Sequence, residues 1–410
     1  MKKIVFFSIP LFGHVNYGLR IAKRLKNKGY EVVYYSGSAY KQFIENQGVI
    51  FQPYSEKIEH LFSFKNSTYN NKYMQYVHAE ELDHVFEWYK FCCHLYSIAD
   101  IFMKTDVKRM PRPNLVVYDS AALWGRYISK YWMVKSVASC TPYTYPKKYA
   151  CENLQRFSRL IFQKDLSVRE IERLVYILNY KLDYAFFDES PCSIFEPLDP
   201  CADYKLIYTV KEFQSGYEYM NLDNTFFCGI MQEDEIVNYS CLVSRDIPNV
   251  YISFGSIYNN PEVLRLIYES CKHLNFNFIL NIGPVINPNI FANLPSNWKV
   301  VKHLNQFELL KSVEVFISHG GVNSVREAMH CGVPMIVLPT EGDTLCAAED
   351  IKSKNLGIVL NIRNISSISL AVENLVMNEK IKENCKKLSY IMQQSSGLSG
   401  AVDIIENILK

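Results

Sequence analysis

The stretch SHGGVNSVREAMH, close to residue 320, combines residue types that suit a phosphate-binding site. It follows an apolar run that predicts a strand and opens a pattern that predicts a helix. Gly320 and Gly321 let the backbone approach a bulky anion, and the amides up to Ser324 meet the positive end of the helix dipole. His319 and Ser324 add side-chain donors, and Glu327 can accept from sugar hydroxyls. The alternative is a tight strand-to-helix turn in which Ser324 only caps the helix.

Short apolar runs alternate with segments of helical period along most of the chain. One series opens with IVFFSI, and a second opens with NVYISFGS and includes VEVFISHGG, PMIVLP and LGIVLN. Short buried strands that alternate with helices are typical of parallel sheets, so the two series predict an α/β protein with two doubly wound, Rossmann-like domains. Ligands bind at the carboxyl edge of such sheets, which is where SHGGVNS falls.

The length of the chain also favours two domains. Its 410 residues exceed the size at which a single hydrophobic core usually stops growing. We predict an N-terminal domain at residues 1–228, a C-terminal domain at 229–392 and a final helix at 393–410. The apolar face of that helix predicts that it packs back on the N-terminal domain.

Composition narrows the class of partner. The chain has 44 Lys and Arg against 42 Asp and Glu, a formal charge of +2, which gives no field to attract nucleic acid or an anionic bilayer. Its 12 cysteines show no C-x-x-C spacing, which argues against a zinc ribbon or a secreted disulfide framework and for a cytoplasmic protein. No apolar window is long enough for a transmembrane segment. We expect a monomer or a homodimer without a nucleic-acid partner.

The histidine–glycine stretch is part of a longer pattern, H-G-G-x-x-S-x-x-E-A-x-x-x-G-V-P-M-x-x-x-P-x-x-x-D. This pattern resembles the donor-binding signature of family 1 glycosyltransferases, which share the GT-B fold and take sugars from UDP- or TDP-sugars. The bacterial macrolide-glycosyltransferase-like branch is the most similar, because PLFGHVN, VVYDS, SFGS and HLNQFELL recur in the same order. The resemblance implies two Rossmann-like domains that face a cleft, with the acceptor bound by the first and the nucleotide sugar by the second.

The resemblance assigns the diphosphate to one group of residues. His319 would hold it together with the backbone amides of Gly321 and Asn323. Ser324 and Ser256 would add hydroxyl donors. No cofactor is implied beyond the UDP- or TDP-sugar itself, which is a co-substrate.

The remaining donor contacts implied by the resemblance concern the nucleoside and the sugar. Glu327 would bind the ribose, Gln306 would lie near the edge of the nucleotide, and Asp343 would hold sugar hydroxyls. Two positions depart from the family pattern. Thr344 stands where a glutamine is usual, and His303 stands where an aromatic residue usually stacks on the base. We therefore expect a roomier sugar subsite with a weaker preference for UDP-glucose, the expected donor, over other UDP-sugars.

His14 and Asp119 are the candidate catalytic pair. His14 follows Gly13 in the predicted loop after the first strand, and Asp119 ends the predicted strand LVVYD at the same sheet edge. An imidazole can take the proton of an acceptor hydroxyl as that oxygen attacks the anomeric carbon, and a carboxylate can fix its tautomer. A single displacement inverts the anomeric centre. The alternative is a histidine that only satisfies loop carbonyls.

The sequence shows no D-x-D loop of the kind that carries a metal-bound diphosphate, so we expect metal-independent transfer. The acceptor would bind to aromatic insertions of the first domain, such as HVFEWYKFCCHLY and SCTPYTYPKKY, which suit a large, apolar, hydroxylated natural product. The alternative is that these aromatic residues belong to the core.

Two further functional classes stay open. A nucleotide-sugar 2-epimerase would use acidic groups around the sugar carbon and would not need His14 with an acceptor pocket. A non-catalytic binding partner with this fold would have no need of His14 and Asp119. An NAD-dependent oxidoreductase is disfavoured, because SIPLFGHVN lacks the G-x-G-x-x-G pattern.

Overall fold

The computed structural model describes residues 1–62, 85–141, 143–162, 166–186, 192–232, 237–255, 259–291, 294–340 and 342–410. Their contacts divide the chain into two compact units. The first unit consists of Met1–Met231 and Ser396–Lys410, and the second is Gln232–Ser395. The chain thus passes from the first unit to the second after Met231 and returns to the first unit at Ser396.

The first unit is built on a seven-stranded parallel sheet with the order β3-β2-β1-β4-β5-β6-β7. Its strands are short apolar runs that are largely buried, as expected for a sheet with helices on both faces. They are β1 (Lys3–Phe7), β2 (Glu31–Ser36), β3 (Ile50–Pro53), β4 (Leu115–Asp119), β5 (Ser136–Cys140), β6 (Tyr204–Ile207) and β7 (Thr225–Phe227).

The helices of the first unit include one that the sequence placed too late. The apolar repeat predicts a helix from Tyr17, but the first helix begins at Phe12, and its buried residue Val15 extends the apolar face by one turn before Leu19. The helices are α1 (Phe12–Asn27), α2 (Lys41–Glu45), α3 (Glu56–Leu61), α4 (Val85–Thr105), α5 (Trp124–Trp132), α6 (Lys147–Glu152), α7 (Leu154–Phe162) and α8 (Val168–Phe186).

The second unit is built on a six-stranded parallel sheet with the order β10-β9-β8-β11-β12-β13. Its strands are β8 (Asn249–Ser253), β9 (Asn277–Asn281), β10 (Trp298–Val301), β11 (Val315–Ser318), β12 (Met335–Val337) and β13 (Gly357–Val359). Its helices are α9 (Pro261–Cys271), α10 (Gln306–Leu310), α11 (Val322–Cys331), α12 (Asp343–Ser353), α13 (Ile368–Met377) and α14 (Glu379–Gln393). The prediction of an α/β protein with two doubly wound sheets is confirmed.

The last helix, α15 (Gly397–Leu409), belongs to the first unit. Its buried residues Val402 and Ile405 lie in the same hydrophobic cluster as Leu25 of α1. The contact also has a polar edge, because Glu406 accepts hydrogen bonds from Lys28 at 2.6 Å and from Tyr30 at 3.2 Å. The end of the chain is therefore part of the core of the first unit.

Candidate active site

The structure brings His14 and Asp119 into direct contact. β1 and β4 are neighbours in the first sheet, so the helix that follows β1 begins beside the residue that ends β4. Nδ1 of His14 lies 2.5 Å from Oδ2 of Asp119. His14 does not lie in a loop, as the sequence suggested, but in the first turn of α1. The helix backbone therefore fixes the position of the imidazole more closely than a loop would.

Asp119 is held rigidly as the partner of the imidazole. Its side chain is only 2 % exposed, whereas that of His14 is 20 % exposed. The second carboxylate oxygen, Oδ1, accepts a hydrogen bond from the backbone N–H of Ala121 at 2.9 Å. A carboxylate directed at Nδ1 favours the tautomer with its hydrogen on Nδ1, which makes Nε2 the basic nitrogen. The pair has the geometry of an oriented general base.

In the second unit, His319 lies at the end of β11, directly before the two glycines that lead into α11. It is 7 % exposed, and burial lowers its pKa to about 4. The imidazole is therefore neutral at pH 7, and it can donate a hydrogen bond to an anion without adding a charge.

The two glycines are required by close packing at the start of α11. Gly320 has a φ of +88°, and a Cβ there would lie 2.7 Å from Cγ1 of Val337. A Cβ at Gly321 would lie 2.7 Å from Nε2 of His319. The first intrahelical bond runs from the amide of Val325 to the carbonyl of Gly321, so the amides of residues 322–324 have no acceptor within the helix. This is the arrangement of an anion site at a helix start.

Ser324 and Glu327 lie one turn apart on α11, and Gln306 at the start of α10 contacts both. Nε2 of Gln306 donates to Oγ of Ser324 at 3.0 Å and to Oε2 of Glu327 at 2.8 Å. Oε1 of Glu327 accepts from Nε2 of Gln232 at 2.5 Å. Both hydrogens of the Gln306 amide are thus used within the protein, on Ser324 and Glu327.

Sequence reasoning missed three members of this network. Gln232 holds Glu327, while the hydroxyl of Tyr251 donates to Oε1 of Gln306 at 3.3 Å and accepts from Nδ2 of Asn281 at 3.1 Å. A signal available in the sequence was the tyrosine at the centre of the predicted strand NVYIS, because a buried tyrosine hydroxyl usually has a partner.

Thr344 is buried at the start of α12. It is 1 % exposed, and its Oγ1 accepts a hydrogen bond from the backbone N–H of Thr340 at 3.1 Å. This bond ties the hydroxyl to the backbone of a residue that precedes the helix. Its neighbour Asp343, the first residue of α12, is exposed.

The other predicted donor residues are placed as follows. His303 is exposed in the segment between β10 and α10. Asn323 is half-buried in the first turn of α11. Ser256 lies outside the described residues. The donor candidates that the structure describes all belong to the second unit, and the pair of His14 and Asp119 belongs to the first.

Four aromatic residues of the predicted acceptor insertions belong to the core. Tyr89, Tyr96, Tyr143 and Tyr145 are at most 3 % exposed. Tyr143 and Tyr145 stack on each other with ring centroids 6.0 Å apart. For these four residues the core alternative is correct. The sequence could not separate the two interpretations, since both call for apolar surroundings.

A search against family models matches residues 232–410 to the family described as UDP-glucoronosyl and UDP-glucosyl transferase. Among characterised proteins, the NDP-glycosyltransferase YjiC of Bacillus subtilis is 24% identical over 416 residues, which cover 100% of this chain and 98% of that protein. The demethyllactenocin mycarosyltransferase of Streptomyces fradiae is 22% identical, in an alignment that covers 100% of this chain and 87% of that protein.

Solved structures of glycosyltransferases share the fold of this chain. The calicheamicin glycosyltransferase CalG4 has a TM-score of 0.77 at 20% identity, with 100% of this chain and 98% of that chain covered. The spinosyn rhamnosyltransferase SpnG, complexed with thymidine diphosphate, has a TM-score of 0.72 at 14% identity, with 99% of this chain and 100% of that chain covered. Within the described ranges, no helix has the length and apolar character needed to cross a membrane. Residues 232–410 thus match the UDP-glucuronosyl and UDP-glucosyl transferase family, and the chain as a whole has the GT-B fold and is similar over its full length to glycosyltransferases.

Proposed function

We propose that this protein transfers a sugar from a nucleotide diphosphate sugar, with UDP-glucose as the expected donor, to a hydroxyl group of a hydrophobic small molecule. The transfer inverts the anomeric carbon and uses neither a metal ion nor a cofactor. The observation that carries this proposal is the contact between His14 and Asp119, which supplies an oriented base. A protein that only bound nucleotide sugars would not need that pair.

The base acts at the acceptor hydroxyl. Nε2 of His14 takes the hydroxyl proton while the acceptor oxygen forms a bond to the anomeric carbon. On the opposite face of the sugar, the bond to the diphosphate oxygen breaks, and the nucleoside diphosphate leaves with the bonding electrons. Asp119 stabilises the imidazolium that forms and stays ionised itself. A single displacement of this kind inverts the configuration at the anomeric carbon.

The donor site must meet the charge that develops on the leaving diphosphate. The first-turn amides of α11 and its helix dipole supply positive potential, and Ser324 and the neutral His319 supply further hydrogen-bond donors. Donors that are already aligned need no reorganisation during the reaction. Glu327, held by two glutamine amides, is the acceptor for ribose hydroxyls.

The acceptor class is inferred from relatives. The similar proteins include a calicheamicin glycosyltransferase, a spinosyn rhamnosyltransferase and a demethyllactenocin mycarosyltransferase. We therefore propose a hydroxylated natural product as the acceptor and O-glycosylation as the linkage, since a histidine base is suited to deprotonate a hydroxyl group.

The test is a turnover screen of UDP-glucose, UDP-galactose, UDP-N-acetylglucosamine and a TDP-sugar against phenols and macrolides, with products identified by mass spectrometry. The anomeric configuration of the product, read by NMR, should be opposite to that of the donor, and added EDTA should leave the rate unchanged. A product with retained configuration, or activity that requires added Mn²⁺ or Mg²⁺, would overturn the proposed mechanism. Absence of transfer with every donor, although UDP binds, would favour a binding role.

A further inference from the structure

We propose that Asn281, Tyr251 and Gln306 form a directed hydrogen-bond relay that positions Ser324 and Glu327 for the nucleotide. This inference rests on the proposed function, because it assigns the nucleoside diphosphate to the start of α11. It makes Tyr251 and Asn281, which lie on β8 and β9, positioning residues for donor binding.

The direction of the relay is set at its first step by a backbone group. The N–H of Gly283 donates to Oδ1 of Asn281 at 3.0 Å. A backbone N–H can only donate, so the carbonyl oxygen of the Asn281 side chain must face it. The amide nitrogen of Asn281 then faces Tyr251 and donates to its hydroxyl oxygen at 3.1 Å.

The direction continues through Tyr251 to Gln306. Because the Tyr251 oxygen accepts from Asn281, its hydrogen is directed to Oε1 of Gln306, 3.3 Å away. Tyr251 is fully buried, and burial raises its pKa to about 12, so the phenol keeps its proton at neutral pH. With its oxygen fixed toward Tyr251, Gln306 must turn its NH₂ group toward α11.

The far end of the relay consists of the two groups that would contact the donor. The Gln306 NH₂ group donates to Ser324 at 3.0 Å and to Glu327 at 2.8 Å. An ionised carboxylate can only accept, so the last step has the same direction as the first. Since Oγ of Ser324 accepts from Gln306, its own hydrogen can be donated to a phosphate oxygen. The relay thus makes Ser324 a donor and Glu327 an acceptor, as a diphosphate and a ribose require.

Substitutions that reverse or cut the relay should weaken the affinity of the protein for UDP. In Asn281→Asp, the new carboxylate accepts the Tyr251 hydrogen, so Oε1 of Gln306 loses its donor. The Gln306 amide then either keeps an unsatisfied oxygen or flips and turns that oxygen toward Glu327. In Tyr251→Phe the relay is cut at the same point. Each change should weaken UDP binding roughly tenfold in calorimetry, the effect expected from one misplaced buried hydrogen bond.

The double variant separates a relay from two independent effects. With Tyr251→Phe in place, the Asn281 side chain no longer reaches Gln306, so adding Asn281→Asp should cause little further loss. Asn287→Asp is the charge control, because Asn287 lies in the exposed segment after β9 and its Oδ1 accepts from the amide of Asn289, as an aspartate can. This control should bind UDP like the wild type.

A second measurement excludes a purely structural role. The wild type should bind UDP more tightly than 2′-deoxy-UDP, because Glu327 accepts from the ribose, and this ratio should fall toward one in both relay variants. Three results would overturn the relay. They are an unchanged UDP affinity in either folded variant, additive losses of affinity in the double variant, and an unchanged ratio of UDP affinity to 2′-deoxy-UDP affinity. If one variant fails to fold, the UDP affinity of the other variant and its ratio of UDP to 2′-deoxy-UDP affinity decide whether the relay exists. Failure of the wild type to bind UDP would instead reject the proposed function and the relay together.

Discussion

Nδ1 of His14, in the first turn of α1, lies 2.5 Å from Oδ2 of Asp119, the last residue of β4. The two residues are far apart in sequence, and the pairing of β1 with β4 brings them to one edge of the first sheet. A parallel sheet places every strand's carboxyl end on the same side, so the fold itself creates the histidine–carboxylate pair.

Asp119→Asn should remove the stabilisation of the imidazolium without changing the size of the side chain. We expect the rate with an alkyl alcohol acceptor to fall by about 10² to 10⁴, the usual contribution of general-base assistance, and the rate with a phenol to fall less. A phenol is more acidic and depends less on the base. The measurement is kcat/KM for both acceptors, with Asp100→Asn on the exposed face of α4 as the control. Equal losses for the two acceptors would argue against an effect on the base.

Gln232→Glu should place a second carboxylate against Glu327. Two carboxylates at this distance share one proton, so the pKa of the pair is raised above the ordinary range for a glutamate. An acid whose pKa is higher in the folded state costs stability as pH rises through that pKa. The variant should therefore lose both thermal stability and UDP affinity, relative to wild type, between pH 5 and pH 8. Gln232→Met removes the hydrogen bond without adding charge and should show no such trend; a Gln232→Glu variant with flat pH dependence would contradict the contact.

His319 should make the protein less stable in acid. Burial lowers its pKa from 6.5 to about 4, so the unfolded chain takes up a proton at a higher pH than the folded chain does. A group with a lowered folded-state pKa costs stability as pH falls below 6.5, and this loss should reach about 2 kcal/mol between pH 7 and pH 5. The free energy of unfolding, measured with urea at pH 7 and pH 5 in the wild type and in His319→Gln, gives the size of this loss. The variant should lose less stability over this interval, and an identical loss would show that His319 is not the group responsible.

Thr344→Val tests whether the Thr344 hydroxyl contacts the sugar or the protein. The structure gives it the amide of Thr340 as a partner, so the variant should lose about 1 kcal/mol of unfolding free energy and keep the wild-type preference among UDP-glucose, UDP-galactose and UDP-N-acetylglucosamine. The ratios of kcat/KM for the three donors and the unfolding free energy are the measurements. A change in donor preference would restore the original expectation of a sugar contact.

The elements that carry the site were predictable because they depend on local patterns. The apolar run before SHGGVNS predicted a strand and the helical period after it predicted a helix, and the structure has β11 and α11 at these places. The start of α1 was placed too late, because Gly13, His14 and Asn16 interrupt the apolar pattern of its first turns, although the buried Val15 continues it.

Contacts that join side chains from different elements were beyond the sequence. Gln306, Tyr251 and Asn281 come from a helix and two strands, and their meeting depends on strand register and rotamers that no local pattern encodes. The bond between the Thr340 amide and the Thr344 hydroxyl was likewise invisible in the sequence, because it depends on the backbone conformation before α12.

We propose that His14 is the base of a sugar transfer and that the donor site lies on the second unit. The most direct test is His14→Ala, measured for kcat/KM with UDP-glucose and an alkyl alcohol acceptor and, in parallel, for UDP affinity by calorimetry. We expect transfer to fall by about 10² to 10⁴ while UDP affinity stays within a factor of about two of wild type. Transfer at the wild-type rate by His14→Ala, with UDP still bound, would contradict it.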